Sequence, residues 1–88
     1  MKIIFTKAFS KDLKRLKNKV IKKRIVNAIE KIENANTLSN VTSIKKLQGS
    51  DNHYRIRIGD YRMGIKEKDD TLILMRFLHR KDIYRNFP

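Results

Sequence analysis

The chain contains no cysteine, which excludes disulfides, a thiolate nucleophile and a Cys-based zinc knot. A fold that must rely on packing alone, without cystine staples, fits a reducing, cytoplasmic setting. Proline occurs once, at Pro88, and no Pro-rich linker, internal repeat or low-complexity tract is present. The three glycines, Gly49, Gly59 and Gly64, form no phosphate-cradling loop and read as turn or bulge residues. Apolar runs extend for a handful of residues, far short of a membrane span. The opening Met1-Lys2-Ile3-Ile4-Phe5 is too short for the apolar stretch of a signal peptide. Acidic residues are scarce: nine Asp and Glu stand against 22 Lys and Arg, a net charge of +13. That excess points to a polyanionic partner, either nucleic acid or an acidic protein that masks the basic face. At 88 residues and 40% hydrophobic content, the chain is expected to form one globular domain over 1–88.

What is present falls into a helical front and a β-rich back. Lys2 to Phe5 reads as a short strand, with Thr6 or Ser10 available to cap a following helix. Phe9, Leu13, Leu16 and Val20 recur at helical spacing, and Ile21, Ile25, Ala28, Ile29 and Ile32 repeat the pattern. Asn18 lies between the two sets, which predicts a helical hairpin rather than one rod. Asn34 to Ser43 is polar and reads as a loop. From Ile44 the period changes to two. Tyr54, Ile56 and Ile58 alternate with His53, Arg55 and Arg57, and Gly59-Asp60 makes a Gly-first hairpin turn. Tyr61, Met63 and Ile65 follow, then a turn at Lys68-Asp69-Asp70 and an apolar central strand from Thr71 to Leu78. Arg80 to Pro88 is expected to add a last turn of helix. The expected class is α+β, a strand and helical hairpin packed on one face of a small, mainly antiparallel sheet.

The hairpin register decides where the arginines point. A two-residue turn at Gly59-Asp60 pairs Arg57 with Arg62 and Ile56 with Met63. One face is then apolar, and the other carries Arg55, Arg57 and Arg62. Like charges directly opposed in a sheet cost stability, so their juxtaposition argues for an anion. A three-residue second turn would bring Arg76 beside Arg62. Eight of the fourteen lysines fall between Lys7 and Lys31, on the helices, whereas six of the eight arginines lie at Arg55 or later. Lysine is a solubilising charge, while arginine offers a planar fork for phosphate. The helical lysines therefore read as a solvated face and the sheet arginines as the site.

Three blocks in order carry a resemblance. They are Lys46-Leu47-Gln48-Gly49, then Tyr54-Arg55-Ile56-Arg57-Ile58-Gly59-Asp60-Tyr61-Arg62, then Leu78-His79-Arg80-Lys81-Asp82-Ile83-Tyr84-Arg85. Together they resemble the RelE/ParE superfamily of toxins from type II toxin–antitoxin pairs, over effectively the whole chain. The resemblance implies a fold similar to microbial ribonucleases and, in the RelE branch, ribosome-dependent cleavage of mRNA without metal or cofactor. It places catalytic function on Arg55, Arg57, Arg62, Arg80 and Tyr84. It implies an acidic antitoxin, the ribosome and mRNA as partners, and no membrane. Two departures stand out: Gln48 occupies a position where the family often has Arg, and Arg55 and Arg57 replace strand lysines. The ParE branch, whose members poison DNA gyrase, is the alternative reading.

Cleavage of this kind sets the 2′-hydroxyl against its own 3′ phosphate, so charge must be stabilised and two protons moved. Arg57 and Arg62 are the candidate phosphate clamp, Arg80 the group on the leaving-group side, and Tyr84 a base-stacking or hydrogen-bonding residue. Arginine is a poor proton acceptor, so His79 is the candidate base, against a structural or RNA-positioning role. Lys45, Lys46, Gln48, His53, Arg76 and Arg85 are expected around the RNA path. His53 reads more simply as a polar strand-edge residue, and Phe87 as a tail anchor. Asp82 is available to pair with Arg80 or Arg85.

Overall fold

The computed structural model describes residues 1–41 and 43–88. Strand β1 (Lys2–Phe5) ends at Thr6, whose hydroxyl accepts from the Phe9 N–H at 3.0 Å and caps α1 (Lys7–Arg15). The same hydroxyl reaches the Leu74 carbonyl at 2.9 Å, tying the cap to the sheet. The helix stops where Asn18 starts the next one: its Oδ1 accepts from the Ile21 N–H at 3.1 Å and caps α2 (Lys19–Asn34). The expected helical hairpin thus forms, broken at the expected residue. The polar stretch that follows contains a single tight helical turn at Leu38–Asn40; Thr42, within the same expected loop, lies outside the described residues.

The remaining strands are β2 (Ile44–Lys46), β3 (His53–Ile58), β4 (Tyr61–Lys68) and β5 (Thr71–His79), and the chain ends in α3 (Arg80–Asn86). The sheet order is β1-β5-β4-β3-β2, with β1 parallel to β5 and the other neighbours antiparallel. Gly59, at φ 59°, supplies the left-handed first position of the β3–β4 turn. Ile58 therefore pairs with Tyr61, Arg57 with Arg62 and Ile56 with Met63, as the alternation predicts.

The core lies between this sheet and the first two helices. Phe9, Ile32, Met63, Ile65, Leu72 and Leu74 are fully enclosed there. Each such side chain contributes about 1.5–3 kcal/mol by leaving water. Helix α3 departs from the one-face expectation, because it covers the opposite face of the sheet. Gly64 alternates with Met63 and Ile65, so it faces away from the core, and a Cβ there would lie 2.7 Å from the Phe87 ring. Phe87 and Ile83 are buried on that side, with Phe87 serving as the tail anchor.

The second hairpin turn also differs from expectation. It has two residues, Asp69 and Asp70, both left-handed at φ 51° and 61°, so Lys68 pairs with Thr71. A bulge at Gly64/Ile65 then shifts the register, Arg62 meets Leu78, and Arg76 stands opposite Gly64. Arg76 therefore does not join Arg62. It binds Asp12 of α1 through Nε at 2.8 Å and Nη2 at 3.1 Å, and Asp12 also accepts from the Phe77 N–H at 2.9 Å. Strand β1 ends opposite Leu74, so beyond that point the Asp12 carboxylate takes the place of a neighbouring strand. Asp12 is buried, and its charge raises the guanidinium pKa of Arg76 above the ordinary arginine value through the hydrogen bond.

Candidate functional site

The face of β3 and β4 turned away from α2 carries Arg55, Arg57 and Arg62, and α3 brings Tyr84 to its edge. Arg55 Nη1 donates to the Tyr84 hydroxyl at 2.7 Å, and its Cζ lies 5.7 Å from the ring centroid. The tyrosine is otherwise open, with 67% of its surface exposed. Arg62 is held from behind: its Nη1 donates to the carbonyls of Gly59 and Tyr61, each at 2.9 Å. Its pKa is lowered from the ordinary arginine value, first by burial and next by Arg57, with Arg55 and Arg80 adding and Tyr84 opposing. The guanidinium is thus fixed in a field of like charge, which an anion would relieve.

The three arginines line a groove of about 480 Å³ together with Arg24, Ser43, Lys45 and Gly59, with no acidic side chain among them. A second groove of about 470 Å³ adjoins it and shares Lys45 and Arg55 as a common wall. Its other sides are Lys46, Leu47, Gln48, Ile83, Tyr84, Phe87 and Pro88, a more apolar lining. One groove suits phosphate and the other suits a planar base.

Of the residues singled out in the sequence, the structure brings Arg55, Arg57, Arg62, Tyr84 and Lys45 together, with Lys46 and Gln48 along the second groove. Arg80 starts α3 within electrostatic range of Arg62, its backbone N–H bonded to the Asp60 carbonyl at 2.7 Å. Arg85 is exposed and lines neither groove. Arg76 is occupied by Asp12. His53 is turned into the tail packing, with Nδ1 2.7 Å from Ser50 Oγ and its ring edge-on to Phe87 at 5.4 Å.

His79 lines neither of these two grooves. Register sets it opposite Tyr61 on the core-side face of the sheet, ring edge-on at 5.6 Å. Its Nδ1 accepts from the Lys81 N–H at 3.2 Å, which caps α3. It lines a separate cleft with Asp12, Arg15, Tyr61 and Asp82. The ion pair considered for Asp82 does not form; among the described residues the one ion pair is Asp12–Arg76.

Two residues around the site escaped the sequence reading. Asp12 is an acid on a lysine-rich helix, and Arg24 is the one arginine among the lysines of α2. The residue type was the available signal in both cases. Among the described residues no three His, Asp or Glu side chains gather as a metal site, and no helix is long and apolar enough to cross a membrane.

A five-stranded sheet with a helical hairpin on one face is the fold of small toxins from toxin–antitoxin pairs, and here it carries an arginine groove beside a C-terminal tyrosine. The chain belongs to the family described as ParE toxin of type II toxin-antitoxin system, parDE, which matches residues 3–84. Within the RelE/ParE superfamily it is a RelE-branch toxin. It is 49% identical to Toxin RelE3 of Methanocaldococcus jannaschii over 100% of both chains. Its fold matches a RelB–RelE antitoxin–toxin complex from Methanococcus jannaschii with a TM-score of 0.82 and 48% identity, covering 97% of this chain and 99% of that one. An archaeal RelE–RelB complex from Pyrococcus horikoshii OT3 shares the fold at a TM-score of 0.70 and 24% identity, over 90% and 93% of the two chains.

Proposed function

We propose that this toxin is a metal-independent endoribonuclease that cuts mRNA on the ribosome in the cytoplasm and is silenced by an acidic antitoxin. The observation that carries this reading is the convergence of Arg55, Arg57 and Arg62 in a groove that has no acidic lining, with Tyr84 hydrogen-bonded to Arg55 in the adjoining groove. The 2′-oxygen of one nucleotide attacks its 3′ phosphorus, and the bond to the 5′-oxygen breaks, leaving a cyclic phosphate and a 5′-hydroxyl. Arg57 and Arg62 face each other across the strand pair and hold the non-bridging oxygens as charge builds on them. Arg80 lies on the leaving-group side. Tyr84 accepts from Arg55 and so keeps its own O–H proton to donate toward phosphate or the departing oxygen.

The 2′-hydroxyl proton needs an acceptor, and the guanidinium groups cannot serve. Lys45 stands beside Arg55 on β2 and is the amine within the groove. A site this open gives little help in ordering a flexible message, which is why the ribosome is required as a scaffold. The RelB–RelE complexes among its structural relatives, together with the +13 charge, support an acidic antitoxin as partner.

Primer extension on a defined mRNA, with and without ribosomes, tests the reading. Cuts in codon register that need ribosomes and vanish in the Arg57→Ala/Arg62→Ala protein are expected. An uncut message from folded, antitoxin-free protein would overturn it, and inhibition of DNA gyrase would then mark the ParE-type activity.

A further inference from the structure

The arginine groove contains one cation that belongs to the helical layer. Strand β2 begins at Ile44, opposite Ile56, so β2 does not cover the outer edge of Arg57 and Ile58. One flank of α2 runs along this edge, where Arg24, Asn27, Ala28 and Lys31 form a cleft with Val41, Ser43, Ile56, Arg57 and Ile58. At the end of that cleft Arg24 passes over the β3–β4 turn. A Cβ on Gly59 would lie 3.3 Å from Arg24 Nη1, so the guanidinium packs closely against the turn. Arg24 consequently lines both the cleft and the arginine groove. No ion pair engages it, since Asp12–Arg76 is the one ion pair among the described residues.

Charge and reach then set its role. Arg24, Lys45, Arg55, Arg57 and Arg62 surround the groove without an acidic side chain. A single phosphodiester carries one negative charge and is already flanked by Arg57 and Arg62. The adjacent phosphate of the same strand is the next anion that such a groove can accept. Arginine suits that contact because its fork can hold two phosphate oxygens.

We infer that Arg24 is a substrate-binding residue that contacts the phosphate next to the scissile one, so that the groove holds two consecutive phosphates of single-stranded RNA. That one phosphate is scissile rests on the ribonuclease reading above; the Arg24 contact to its neighbour does not.

The test is binding of a non-cleavable 2′-deoxy hexanucleotide to the full chain, followed by fluorescence anisotropy across a salt series. Each phosphate contact on a single strand contributes about 0.7 to the slope of log affinity against log salt. Arg24→Ala should lower the slope by about that amount, while Lys23→Ala on the same helix should leave it unchanged. Arg24→Lys should keep the slope and weaken binding, because the charge remains and the fork is lost. Equal slopes for Arg24→Ala and Lys23→Ala would overturn the inference. If the slope falls with Arg24→Ala but the wild type cuts no mRNA on ribosomes, the phosphate site stands and the ribonuclease reading is what fails.

Discussion

Arg55 on β3 donates to the hydroxyl of Tyr84 on α3 at 2.7 Å, joining residues 29 apart in the chain. This bond ties the last helix to the arginine face and fixes the one open aromatic of the site. Removing the hydroxyl alone separates that role from stacking. Tyr84→Phe should lower ribosome-dependent cleavage about tenfold to a hundredfold, as expected for losing a charge-assisted hydrogen bond of about 1.5–3 kcal/mol. Thermal stability should barely move, because the side chain is exposed. Single-turnover cleavage beside a melting curve checks both.

His79 offers a contrast between a base and a cap. Its Nδ1 is committed to the Lys81 N–H, and its ring lies with Tyr61 rather than with Arg62. His79→Asn, which preserves a capping acceptor, should leave cleavage within about twofold of wild type, since the helix carrying Tyr84 stays in place. His79→Ala should cost about 0.5–2 kcal/mol of stability. A loss of a hundredfold or more in the Asn variant, with unchanged stability, would return the proton transfer to this residue.

The Asp12 carboxylate supports both Arg76 and the Phe77 N–H. Asp12→Ala strands a guanidinium and a backbone donor at once, and should cost about 2–4 kcal/mol, the Arg76 side chain being partly solvated. Adding Arg76→Met should recover part of that loss. Arg76→Gln alone should destabilise the fold and leave the salt dependence of oligonucleotide binding intact, which is the measure that distinguishes an edge-strand anchor from an RNA contact.

Gly64 is shaped by its neighbour. With Phe87 carbons 2.7–2.8 Å from any Cβ, Gly64→Ala should cost about 1–3 kcal/mol through overpacking. Phe87→Ala should also destabilise, by loss of burial. Because the two groups compete for one space, the double variant should be more stable than the two losses added, read from urea midpoints in a double-mutant cycle.

The parts legible in the sequence were those set by local rules. Gly59-Asp60 fixed a turn, the alternation on either side fixed the pairing of Arg57 with Arg62, and Asn18 marked a cap. The bulge at Gly64/Ile65 was hidden because Thr71 to Leu78 is nearly all apolar and shows no alternation to slip. The two-residue turn and that extra residue together set Arg76 opposite Gly64 rather than Arg62. His79 adjoins Arg80 in the chain, yet one belongs to a strand face and the other to a helix, so sequence proximity does not bring the imidazole into the arginine groove. Nor does a short amphipathic tail state which sheet face it covers; Gly64 opposite Phe87 decides that only in three dimensions. Arg24 was masked by the lysines around it and gained meaning once the short β2 left a gap.

The facing pair Arg57–Arg62 opposes stability and serves function, and the two should separate in one variant. Opposed like charges on neighbouring strands destabilise by about 0.2–1 kcal/mol, and burial already disfavours the charged form of Arg62. Arg57→Ala removes the repulsion from an exposed position without leaving a cavity. The variant should therefore melt at or slightly above the wild-type temperature in dilute buffer. Inorganic phosphate should reverse the order, because an anion that binds only the folded groove stabilises the wild type and has less to grip in the variant. Cleavage, meanwhile, should fall by two orders of magnitude or more with the loss of a transition-state contact. Melting curves with and without phosphate give the first two outcomes. If Arg57→Ala were less stable in dilute buffer, the arginine would be holding the sheet together rather than waiting for an anion.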